Sequence, residues 1–65
     1  MRHLVFDKQE QGGFIVRNAE GEVLGEIWYY NDWKCYVWQQ YDDVVMSWDC
    51  LVEIVDFIRR QDGLF

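Results

Sequence analysis

Two cysteines, one histidine and a surplus of acids are the groups in this 65-residue chain that could carry chemistry. His3 is far in sequence from both cysteines, so a zinc site would have to be assembled from scattered groups, and no metal is expected. Cys50 falls two or three positions into a helical pattern, where the helix amides would favour a thiolate. No base accompanies it, and its place beside an apolar stripe is that of a buried structural thiol; Cys35, in an extended run, reads the same way. Asp42 and Asp43 could act as paired carboxylates in acid–base work or on a divalent cation. Such a pair needs a cleft that keeps one acid desolvated, which a single helix on a sheet rarely encloses. The chain has no glycine-rich phosphate loop and no Ser-His-Asp set. These residues point away from an enzyme and call for no cofactor.

Asp49, Glu53 and Asp56 recur at i, i+4, i+7 and would form an acidic ridge on the outer face of one helix. Part of that ridge has a structural explanation. Asp49 favours the helix N-terminal dipole, and Asp56 can pair with Arg59 or Arg60, each worth a few tenths of a kcal/mol. The remainder is unbalanced charge suited to docking into a cationic groove meant for nucleic acid.

Twelve Asp and Glu against six Lys and Arg give a net charge of -6 and a pI near 4.4. Direct binding to nucleic acid or anionic lipid needs the opposite sign, so a basic protein partner is expected instead. Hydrophobic residues make up 51% and aromatics 18%, too apolar a composition for disorder. The length allows one domain. Leu4-Val5-Phe6 is too short for a signal-peptide core and no run nears a membrane span, which predicts a soluble, cytoplasmic chain with reduced thiols.

These groups must be positioned by short elements. Breaks at Gln11-Gly12-Gly13, at Asn18-Ala19-Glu20-Gly21 and at Asn31-Asp32 divide the first forty residues into strands of roughly 3–8, 13–18, 22–30 and 34–40. Ser47 has the chemistry of a helix N-cap, with a hydroxyl able to accept the amide of Asp49 or Cys50. A helix over about 48–61 follows, ended by Gly63. Leu51, Ile54, Val55 and Ile58 form its apolar stripe, widened by Trp48, Val52, Cys50 and Phe57. The expected fold is α+β: a three- or four-stranded antiparallel meander with one C-terminal helix across a face.

A three-residue loop after Asn18 predicts Ile15 opposite Gly25, Val16 opposite Leu24 and Arg17 opposite Val23. Ile15, Val23, Gly25, Ile27 and Tyr29 then face the helix, joined by Cys35 and Val37 if the next loop also has three residues. Gly25 would let the helix approach closely. Phe14, Val16, Leu24, Glu26, Trp28, Tyr30, Tyr36 and Trp38 fall on the opposite face, too aromatic for a solvated surface. Either the first strand or Leu64-Phe65 covers this face, or a two-residue turn at Asn31-Asp32 moves Tyr36 and Trp38 to the helix side, or the patch is a binding surface.

The Gly-Glu-Val-Leu-Gly-Glu-Ile-Trp run from Gly21 to Trp28, the Trp-Lys-Cys-Tyr-Val-Trp run from Trp33 to Trp38, and Ser-Trp-Asp-Cys-Leu from Ser47 to Leu51 resemble small uncharacterised phage and prophage proteins. The resemblance covers roughly the last two-thirds of the chain and implies mobile-element origin, with no activity or residue role to transfer. The combined expectation is a non-enzymatic protein that binds another protein through Trp28, Tyr30, Tyr36 and Trp38 or through Asp49, Glu53 and Asp56, one concrete version being an acidic inhibitor of a host defence factor. The alternative is a homodimer joined through the aromatic sheet face.

Overall fold

The computed structural model describes residues 4–63, so the expectations placed on His3, Leu64 and Phe65 lie outside the described residues. Strands β1 (Val5–Lys8), β2 (Phe14–Arg17), β3 (Val23–Tyr30) and β4 (Cys35–Gln40) form one antiparallel sheet in chain order, and helix α1 (Trp48–Gln61) follows. This is an α+β fold. The first strand belongs to the sheet, with Val5 opposite Arg17 and Lys8 opposite Phe14.

Turn chemistry fixes the hairpins. The Asn18 side-chain oxygen accepts the amides of Glu20 and Glu22 at 3.0 and 2.9 Å, and the Asn18 amide bonds the Glu22 carbonyl at 3.0 Å, which closes a three-residue loop. Between β1 and β2, Gly13 sits at φ +81°, and a Cβ there would also come within 2.7 Å of the Ile27 carbonyl oxygen, so only glycine fits.

Beyond that loop the register departs from regular alternation. Arg17 stands opposite Val23 as expected, but a bulge then places Val16 opposite Gly25 and Ile15 opposite Glu26. One inserted residue exchanges the faces. Phe14, Val16 and Leu24 therefore point to the helix and Ile15 does not, while Ile27 faces the helix as expected. The gain is apolar burial: Leu24 and Ile27, three apart and unable to share a face of a regular strand, both enter the core with Val16 and Ile54. Each such side chain contributes on the order of 1.5–3 kcal/mol when fully buried.

The β3–β4 connection also differs from the three-residue expectation. Tyr30 pairs with Cys35, leaving residues 31–34 as the loop. The Tyr30 carbonyl accepts the amides of Trp33 and Lys34 at 3.2 and 2.8 Å, and Lys34 takes φ 56°. An even loop keeps Tyr36 and Trp38 on the helix side, opposite Tyr29 and Ile27. Gly25 is buried for a different reason from the one its position suggested: a Cβ there would lie 2.5 Å from the Trp38 ring and against the Gln39 carbonyl. The missing side chain accommodates an indole from the next strand rather than the helix.

Helix α1 docks through Ile54, 1% exposed, with Phe57 and Ile58 packed around it. Phe57 stacks on Phe6, centroids 4.0 Å apart, and meets Phe14 edge-on at 4.8 Å. Ser47 is the N-cap by backbone geometry but makes no capping bond with its side chain. Asp49 does that instead, its carboxylate accepting the Cys50 amide at 3.0 Å and the Ser47 hydroxyl. At the other end Gly63, at φ +80°, donates to the Arg60 carbonyl at 3.1 Å.

The expected apolar stripe is only half buried. Trp48, Leu51, Val52 and Val55 are exposed, because the helix is rotated so that Cys50, Ile54, Phe57 and Ile58 meet the sheet. Eight apolar positions spread too far around a helix for one flat sheet to cover.

Candidate binding surfaces

One helix covers one side of the sheet, so alternation along β3 and β4 decides what the other side shows. Trp28 stands opposite Val37 and Tyr30 opposite Cys35, all four directed away from α1. Trp33 enters from the loop, 71% exposed. Its ring meets that of Tyr30 at 5.0 Å and 78°, and Tyr30 meets Trp28 at 5.6 Å and 84°. Successive edge-on contacts turn the ring faces in different directions around a shallow depression of about 190 Å³ lined by Trp28, Tyr30, Trp33 and Val37.

Acids lie near this aromatic group. Glu26 precedes Trp28 by two positions on the same face, and Asp32 is exposed beside Trp33. Partial covering, then the Glu26 carboxylate and its hydrogen bond, push the Tyr41 phenol above the ordinary tyrosine range. Arg17 and Asp7 form an ion pair at 2.8 Å.

Tyr36 and Trp38, expected with Trp28 and Tyr30 on one surface, are packed against the core on the helix side. The loop length that separates them from β3 is the cause. The Trp38 indole nitrogen is buried there without an acceptor among the described residues.

The acidic ridge is also dispersed. Asp49 serves the first turn of α1, and its carboxyl is held below the ordinary carboxylate range by the Ser47 hydroxyl first, against some desolvation, and by the Cys50 amide. Glu53 is half-buried, with one carboxylate oxygen inaccessible to solvent, beside Leu4, Phe6 and Phe57. Only Asp56 of the three stands exposed, with Arg60 lining the same hollow. Asp42 and Asp43 are exposed in the loop before α1, and Asp62 accepts the Tyr36 amide at 3.3 Å.

Cys35 and Cys50 are free, half-buried thiols. No group of three or more His, Cys, Asp or Glu able to hold a metal occurs among the described residues, and none of the described helices is long and apolar enough to cross a membrane. Trp33 was missed by reading the sequence because it follows a turn signal; the outer stripe of α1 was missed because its residues had been counted as core. The excess of apolar positions on that helix was the available signal.

Comparison with protein-family models, with curated proteins and with solved structures found no match in any of the three.

Proposed function

We propose that this chain is a non-enzymatic protein-binding module of phage type, which docks a basic partner by seating a lysine or arginine side chain among Trp28, Tyr30 and Trp33. The observation that carries this reading is the row of edge-on rings on the uncovered sheet face, with Trp33 exposed and Tyr30 and Trp28 half-buried beside it. Ring faces attract a cation, by about 0.5–1 kcal/mol when exposed and about 2 when desolvated. Glu26, Asp32 and the net charge of -6 add long-range attraction for the same partner and repel nucleic acid. An inhibitor that occupies the cationic groove of a host defence factor is the concrete version of this activity. Asp56 stands on α1, across the sheet from these rings, and Glu53 is half-buried beside Phe6 and Phe57, so neither takes part in this contact.

The test is titration of isotope-labelled protein with a lysine- and arginine-rich peptide, following the tryptophan indole signals. The signals of Trp28 and Trp33 should move while that of Trp38 stays fixed. Trp33→Ala should weaken binding several-fold without changing the melting temperature. Equal binding of a neutral peptide, or shifts confined to the Asp56 face, would overturn the proposal.

A further inference from the structure

Helix α1 carries a second apolar stripe that stays largely exposed, outside the core formed by Val16, Leu24, Ile27 and Ile54. Trp48, Leu51, Val52 and Val55 are 76, 37, 42 and 51% exposed, and their i, i+3, i+4, i+7 spacing gathers them on one line. That line lies roughly a third of a turn around the helix from the stripe that meets the sheet. Val45, just before the helix, is 95% exposed. An outer helix face in a small domain is ordinarily polar.

We infer that this stripe is the contact between two copies of the chain, with their α1 helices antiparallel about a two-fold axis. The charges at the ends of the stripe select this occupant. The first turn of α1 holds Trp48 on the stripe with Asp49 at its flank, and the last turn holds Arg59 on the stripe with Arg60 on the same flank as Asp49. Both arginines are exposed and make no ion pair among the described residues. Arg59 continues the stripe, four positions beyond Val55.

A two-fold interface must be complementary to itself. Centred between Val52 and Val55, the antiparallel arrangement sets Val52 against Val55 of the second copy and Arg59 against its Trp48. Asp49 then approaches the arginine end of that copy. Cation meets ring, acid meets base, and the helix dipoles oppose. A parallel pair would place arginine on arginine. A basic partner, favoured at the sheet face, is repelled here by the same two arginines.

Four apolar side chains on a 14-residue helix fall short of the roughly 1,200 Å² that a stable interface buries. The dimer is therefore of the weak, concentration-dependent class, with a dissociation constant in the micromolar range or above.

Sedimentation equilibrium of the full chain across a wide concentration range reads this directly. A monomer–dimer equilibrium is expected, weakened by salt. Val52→Asp should lower dimer affinity by roughly tenfold or more by setting a bare charge against Val55 at the centre. Arg59→Glu should weaken it too, whereas a parallel pair, relieved of arginine repulsion, would not lose affinity. Circular dichroism controls for folding, which exposed positions should leave intact. Trp33→Ala should leave the dimer unchanged. A monomer at every concentration, or a dimer indifferent to Val52→Asp and lost in Trp33→Ala, would overturn the inference.

Discussion

The ring of Phe6 lies parallel to that of Phe57, with centroids 4.0 Å apart and planes 4° apart, so the first strand and the C-terminal helix are joined directly across the sheet face. Phe57 also meets Phe14 on β2, which makes it the point where one helical side chain gathers two strands. A chain of this size has a total stability of only about 3–10 kcal/mol. Removing such a ring takes a large share of it.

Phe57→Ala should destabilise the fold by about 2–3 kcal/mol, somewhat below the range for fully buried phenylalanines because Phe57 is half-buried. Urea unfolding followed by far-UV circular dichroism measures this as a lower midpoint at unchanged slope. A loss under about 0.5 kcal/mol would mean that the stacked pair does not hold β1 to α1.

Gly25 and Trp38 form the tightest steric relationship in the sheet. Gly25→Ala should cost about 1–3 kcal/mol by driving a methyl group into the indole and the neighbouring carbonyl. Adding Trp38→Phe, which shortens the ring, should recover part of that cost in a double-mutant cycle. Strict additivity of the two substitutions would show that they do not touch.

The carboxyl of Asp49 is lowered in the folded state by the Ser47 hydroxyl and the Cys50 amide. A depressed carboxyl stabilises the fold fully above its unfolded value, near 3.9, and that contribution is lost as pH falls through the folded value. Asp49→Asn should therefore be less stable than the parent at neutral pH and converge with it in acid. Thermal melts of both proteins from roughly pH 2 to pH 6 would reveal the convergence. Parallel curves over that window would exclude the linkage.

Asp7 and Arg17 are 45% and 38% exposed as an ion pair. Water and salt screen such a pair, so Asp7→Asn should cost under about 1 kcal/mol and less still at high salt. The comparison of urea midpoints at low and high ionic strength decides it, and a salt-independent loss would assign the effect to strand packing instead.

The element order was legible because it depends on local chemistry. Asn18 and Gly21 mark a turn in any context, Gly63 terminates the helix through its left-handed backbone, and Trp48 to Gln61 is apolar at a helical period. These are interactions within a few residues of one another. The same local rules identified Trp28 and Tyr30 as a pair on one face.

The place of Trp28 and Tyr30 on the side away from the helix followed from assigning Ile27 and Tyr29 to the helix side, but the turn of Phe14, Val16, Leu24, Tyr36 and Trp38 to the inside was not legible. It turned on one inserted residue at the Val16–Gly25 bulge and on a four-residue loop after Tyr30. Either change by a single residue exchanges every side chain on a strand, because alternation has a period of two.

The amino-acid sequence by itself determined the extended runs, one helix, the places of the breaks between them and the sign of the charge, since propensity, capping and turn chemistry act along the chain. Tertiary structure alone decided which apolar residues are core and which remain exposed. Sheet and helix had to be brought together to bury Val16, Leu24, Ile27 and Ile54 most completely. One helix cannot cover two sheet faces, nor one sheet two helix faces, and that geometric shortfall leaves Trp28, Tyr30 and Trp33 on one side and Trp48, Val52 and Val55 on the other.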